Sequence, residues 1–112
     1  MLIYKVFRRT EWTQFRDSGV THGAPVDLQD GYIHFSTAAQ VAETVAKHFA
    51  GESDLVLLAL DSNNLGPELK WEPSRGGALF PHLYRALVAA DVIWDKSLPL
   101  GATGHIFPEG VF

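Results

Sequence analysis

Hydrophobic positions along the chain fall into short runs divided by glycine, proline and asparagine. "LIYKVF" (residues 2–7) is rich in β-formers and roughly alternating, which predicts a strand. Thr10 is a candidate N-cap for "EWTQFRDSG", where Trp12 and Phe15 share one helical face and Gly19 supplies a stop. "THGAPVDLQDG" is turn-rich and predicts a loop. "YIHF" predicts a short strand. Thr37 and Gln40 then have capping-box spacing for a helix whose inner face is Val41, Val45 and Phe49, ending at Gly51. "DLVLLALD" (residues 54–61) holds a continuous apolar run between two aspartates, the pattern of a central strand buried on both faces. "LKWEP" predicts a strand stopped by Pro73, "SRGG" a turn, and "ALFPHLYRALV" and "ADVIW" the last strands. The tail from Leu98 has no clear period. The pattern amounts to one α+β domain over residues 1–112, with two N-terminal helices and five or six strands.

Composition narrows the function classes. With 112 residues and 46% hydrophobic content, the chain can fill one core. A net charge of -4 argues against broad nucleic-acid binding, which needs clustered cations, but not against a few cations meeting one small anion. The absence of cysteine removes disulfide and thiolate chemistry. No apolar run is long enough to span a bilayer, and the first residues lack the pattern of a signal peptide. The expectation is a soluble cytoplasmic protein, a monomer or weak homodimer, without membrane or nucleic-acid partners.

Candidate chemistry concentrates in three short stretches. In "YIHFST", alternation puts Tyr32, His34 and Ser36 on one face, opposite Ile33 and Phe35. That face can line a cleft, or His34 can be a strand histidine with one satisfied hydrogen bond. Ser36 and Thr37 precede a helix N-terminus, which suits an anion or a ligand carbonyl; one hydroxyl is expected to cap, leaving Ser36 for a ligand. "KWEPS" places Glu72 near a sheet rim as a candidate acid, base or ribose acceptor, or simply a surface residue. "FPHLY" carries His82 and Tyr84. His48 suits the end of its helix, and His22 and His105 fall in segments expected to be exposed. Lys5, Arg8, Arg9, Arg75 and Arg85 are candidate partners for a pyrophosphate. No histidine has metal-ligand spacing with another, so no metal is expected.

Together, "YIHFSTAAQVAETVAKHF", "DLVLLALD", "LKWEPS" and "FPHLY" resemble a bacterial family known as domain of unknown function 952, over nearly the whole chain. The order of elements also resembles, more distantly, the ADP-ribosyltransferase superfamily, which includes RNA 2′-phosphotransferases and rifamycin-modifying transferases. That superfamily opens with a strand and a glycine-terminated helix, as in "IYKVFRRTEWTQFRDSG". It continues with an aromatic or histidine strand, Ser or Thr, and an alanine-led helix, as in "YIHFSTAAQVA". The resemblance implies a small split mixed β-sheet and an NAD cofactor or substrate. Lys5 falls where a first-strand His or Arg grips the nicotinamide ribose, His34 or Ser36 at the nicotinamide position, and Glu72 at the ribose hydroxyl and oxocarbenium-like centre. Lysine cannot reproduce the forked donors of arginine, and the arginine-rich set of the RNA phosphotransferases is not visible.

Three functions are therefore expected to compete. The first is an NAD-type dinucleotide transferase or glycohydrolase acting on a small molecule, with His34 and Glu72 catalytic. Lys5, Tyr32, Ser36, Thr37, His82 and Tyr84 would bind the cofactor. The second is a non-catalytic nucleotide or small-metabolite binding module, and the third a protein-contact domain.

Overall fold

The computed structural model describes residues 1–112, with the side chain of Arg75 outside the described set. In chain order the elements are β1 (Leu2–Arg8), α1 (Arg9–Ser18), β2 (Val20–Thr21), α2 (Pro25–Asp30), β3 (Ile33–His34), β4 (Ser36–Thr37) and α3 (Ala38–His48). There follow β5 (Leu55–Asp61), β6 (Leu69–Ser74), β7 (Ala78–Leu83), β8 (Leu87–Val88), β9 (Val92–Leu98), β10 (Leu100–Gly101) and β11 (Gly104–His105).

The unbroken apolar run forms β5, an inner strand of a four-stranded sheet ordered β4-β1-β5-β9. Residues 55–60 are each at most 1% exposed, as expected for a strand covered on both faces. Its alternation divides them between two cores. Val56, Leu58 and Leu60 join Ile3 and Phe7 of β1, Trp12 and Phe15 of α1, and Ile33, Phe35, Leu83 and Leu87. Leu55, Leu57 and Ala59 join Tyr4, Val6, Val41, Val45 of α3, Leu98 and Val111. A second sheet, ordered β3-β7-β6, lays Ile33 and Leu83 into the first core. Two-stranded pairs, β2 with β8 and β10 with β11, complete the fold.

Several expectations are corrected. All strand pairs are antiparallel, where a mixed sheet was expected. There are three α-helices, not two: the predicted loop contains α2, with Pro25 in its first turn. Helix α1 starts at Arg9 rather than after Thr10, because Glu11 Oε1 accepts from the Arg8 amide at 2.8 Å. Helix α3 ends at His48, before Gly51. Pro73 does not stop β6, which runs on to Ser74 as an edge strand where a missing amide donor is tolerated. "YIHF" is not one strand: β3 ends at His34, and after Phe35 the chain crosses to the other sheet as β4.

That crossing shapes the site. Strand β4 pairs only with Ile3 and Tyr4, so β1 runs on past it. Its residues from Lys5 to Arg8 form an edge of the sheet without a neighbouring strand on that side.

Candidate functional site

The three-stranded sheet turns one face to the first core. Its other face is set by register: His34 lies opposite His82, Lys70 opposite His82, and Glu72 opposite Phe80. Directly opposed residues share a face, so His34, Phe80, His82, Lys70 and Glu72 lie together. The alternation in "YIHF" and "FPHLY" thus delivers both histidines to one surface. Their ring centroids are 5.3 Å apart. Tyr32 bridges them on the outer side, with centroids 4.6 Å from His34, 4.3 Å from His82 and 5.1 Å from Tyr84.

Each imidazole is held by a carboxylate. His34 Nδ1 lies 2.6 Å from Asp27 Oδ1, and its Nε2 lies 2.9 Å from Asp30 Oδ2. His82 Nδ1 lies 2.8 Å from Glu72 Oε1, which also accepts from the Tyr84 hydroxyl at 2.7 Å. These hydrogen bonds, from Tyr84 first and His82 second, hold the Glu72 carboxyl below its ordinary pKa. The same bond to Glu72 pushes the Tyr84 phenol up to about 12. Glu72 is therefore an acceptor only, and the proton in the Glu72–His82 bond belongs to His82 Nδ1.

Asp27, which the sequence reading left in a loop, is the most connected polar group described. It sits in the first turn of α2, 1% exposed. Its Oδ2 accepts from the Ala24 amide at 2.7 Å and from Lys5 Nζ at 2.7 Å, and its Oδ1 from the His34 amide at 3.0 Å. Burial alone would push its pKa up. The hydrogen bonds from His34 and the charge of Lys5 outweigh that and hold it below the ordinary carboxylate value. Lys5 is 6% exposed, and burial draws its ammonium below the ordinary value against the pull of Asp27. The carboxylate keeps its charge because several donors converge on it. Gly23 makes this packing feasible: at φ +103 it lies so close to Asp27 that a Cβ there would overlap the carboxylate.

A cleft of about 530 Å³ opens where the β1 edge, α3, the start of α2 and the two histidines meet. Lys5, Arg8, Asp30, His34, Ser36 and His82 supply its principal polar groups, and Val6, Val26, Phe35, Phe49 and Phe80 much of its apolar surface. Arg8 stacks over Phe49, 5.0 Å from the ring centroid, while its guanidinium grips both oxygens of Glu52 at 2.8 and 3.0 Å. Ser36 faces the cleft, with its Oγ 2.8 Å from Thr44 Oγ1. Thr37 caps α3, its amide donating to Gln40 Oε1 at 3.0 Å.

The predicted residues thus divide into two groups. Lys5, His34, Ser36 and His82 line the cleft. Tyr32, Glu72 and Tyr84 lie outside its lining: Tyr32 packs beside both histidines, Glu72 bonds His82, Tyr84 bonds Glu72, and Thr37 serves the helix. His48, assigned to its helix end, also lines the cleft. Among the other candidate cations, Arg9 turns to Asp54 and Arg85 to Asp91, while the side chain of Arg75 lies outside the described set. His22 is exposed as expected. His105 is not: it is half-buried, with Nε2 2.6 Å from the Glu52 carbonyl. Asp27 and Asp30 were missed, although proline then aspartate two residues later is a helix-start signal. Among the described residues, no group of three or more His, Asp or Glu is placed to hold a metal, and no helix is long and apolar enough to cross a membrane.

Residues 6–95 match the family described as "Protein of unknown function (DUF952)". The chain is similar to protein CC0527 from Caulobacter crescentus in its crystal structure, at 50% identity and a TM-score of 0.90, covering 94% of this chain and 92% of that one. The solution NMR structure of the same protein gives 50% identity and a TM-score of 0.83, covering 93% and 90%. No curated protein matches.

Proposed function

This chain belongs to the DUF952 family of unknown function, and on that premise we propose that its cleft binds a nucleotide-type small molecule. The observation that carries the reading is the side-by-side placement of His34 and His82 on the wall of a cleft of about 530 Å³. That volume lies within the range of small-ligand sites, roughly 300–1,000 Å³. Apolar and aromatic walls at Phe35, Phe49 and Phe80 suit a planar base or pyridine ring. Lys5 and Arg8 border the same space and suit phosphate oxygens, although each already has a carboxylate partner.

The resemblance to ADP-ribosyltransferases makes an NAD-type dinucleotide the first ligand to try. Two sheets meeting at a cleft, with a histidine on one wall, support it. A thermal melt with millimolar ADP-ribose, NAD and nicotinamide tests the reading. A ligand at about 100 times its Kd adds about 2.7 kcal/mol to the folded state, so the melting temperature should rise. His34→Ala should lower that rise. No shift with any of the three would remove the dinucleotide reading.

Glycosyl transfer from NAD is a second reading, favoured by an ionised Glu72 directly behind His82. In it the C1′–N bond breaks, its electron pair leaves with nicotinamide, an acceptor or water oxygen bonds to C1′ as its proton is lost, and Glu72, outside the cleft lining, acts through the His82 ring it holds. Nicotinamide release by the wild type and its loss in Glu72→Gln is the expected pattern. Equal release by both proteins would take Glu72 out of the chemistry.

A further inference from the structure

His82 is 3% exposed, and one of its two ring nitrogens has a partner. Nδ1 is committed to Glu72. Nε2, on the far side of the ring, has no hydrogen-bond partner among the described residues. A buried polar nitrogen left unpaired in a cleft wall calls for a ligand or water. Because ionised Glu72 can only accept, it fixes His82 as the Nδ1–H tautomer whenever the ring is neutral. Nε2 then carries a lone pair directed away from Glu72. Neighbouring His34 offers no equivalent, because Asp27 and Asp30 occupy both of its nitrogens.

We propose that His82 Nε2 is the proton acceptor of the cleft, that it receives a hydroxyl of the bound molecule or of its acceptor, and that Glu72 is the positioning residue for it. The proposal deepens the cleft reading above and rests on it for the identity of the ligand. In the proton step, the O–H bond breaks, its electron pair stays on oxygen, and an Nε2–H bond forms. The resulting imidazolium is paired with Glu72. In the glycosyl-transfer reading, that oxygen then bonds to the ribose C1′ as nicotinamide leaves with the C1′–N electron pair, and the proton on His82 passes to solvent. The arrangement matches a His oriented by a carboxylate behind it, the usual form of a metal-independent general base.

Imidazole nitrogen NMR on the ligand-free protein, at a pH where the ring is neutral, tests the tautomer. The wild type should show His82 protonated at Nδ1 and bare at Nε2. Glu72→Ala, at a half-exposed position, should lose this preference, whereas Tyr84→Phe should keep it. An Nε2–H tautomer in the wild type, or an unchanged tautomer in Glu72→Ala, overturns the proposal. Titration with ADP-ribose should then move the Nε2 resonance of His82. Bound ADP-ribose that leaves this resonance unmoved also overturns it. If ADP-ribose does not bind, the dinucleotide reading fails and the tautomer result alone decides the role of His82.

Discussion

Asp27 is where single side chains matter most. Its carboxylate joins a buried lysine, a cleft histidine and the first turn of α2. Removing one member of a buried ion pair strands the other charge, at a cost of about 3–5 kcal/mol. Asp27→Asn should therefore lose about that much in urea unfolding, while Lys5→Met with Asp27→Asn should lose less than the two single changes combined. The pH dependence follows from the depressed pKa of Asp27. A carboxyl whose folded-state pKa lies below its unfolded value, about 3.9, contributes fully above that value and loses its contribution as pH falls through the folded one. Acid unfolding should steepen below about pH 4 in the wild type and flatten in Asp27→Asn. Tyr32, His34 and the FPHLY pair were legible in the sequence because period-two alternation fixes a face. The lysine–aspartate pair was not, because Lys5 sits among core residues and its partner is 22 positions away in a segment that reads as turn.

At the scale of elements, β5 is the organising strand. Its odd and even residues feed different cores, so Leu57→Ala and Leu58→Ala should each cost about 2–5 kcal/mol. Their effects should differ in kind. Leu57→Ala loosens the packing of α3 through Val41 and Val45, while Leu58→Ala loosens the sheet that carries Ile33 and Leu83. Amide exchange should rise first in α3 for the former and in β3 and β7 for the latter; identical patterns would count against two separable cores. This strand was read correctly because six consecutive apolar residues, Leu55 to Leu60, leave few alternatives. Short elements were read less well. Helix α2 has six residues, too few for a periodic signal, and Gly31 after it imitates a turn. The proline in β6 reads as a stop only when the strand is assumed to be central, which requires knowing the sheet order first.

For the whole molecule, the cleft exists because two sheets share one stretch of chain. Residues 33–37 serve the second sheet, pass through Phe35 and end in the first, and β4 is too short to cover the β1 edge. Sequence patterns locate the strands, but this junction depends on pairing partners distant in the chain. The tail closes the second core: Val111 is 4% exposed within it, with Phe107 packed nearby. Deleting residues 106–112 should lower the melting temperature by several degrees, since losing about 1–2 kcal/mol shifts a domain of this size by roughly 4–8 °C per kcal/mol. Ring contacts among Tyr32, His34 and His82 should persist in the truncated protein.

Gly23 has a bearing on how this sequence can vary. Its backbone lies against the carboxylate of Asp27 with no room for even a methyl group, and its φ of +103 excludes most side chains independently. Any replacement must push Asp27 aside, and with it the anchors of Lys5 and His34. In a saturation library scored for cleft function, position 23 should therefore be as intolerant as a ligand-contacting residue, although it is absent from the cleft lining. Mutational sensitivity mapped onto this chain would mark a first turn of helix as part of the site, one layer behind the residues that a ligand meets.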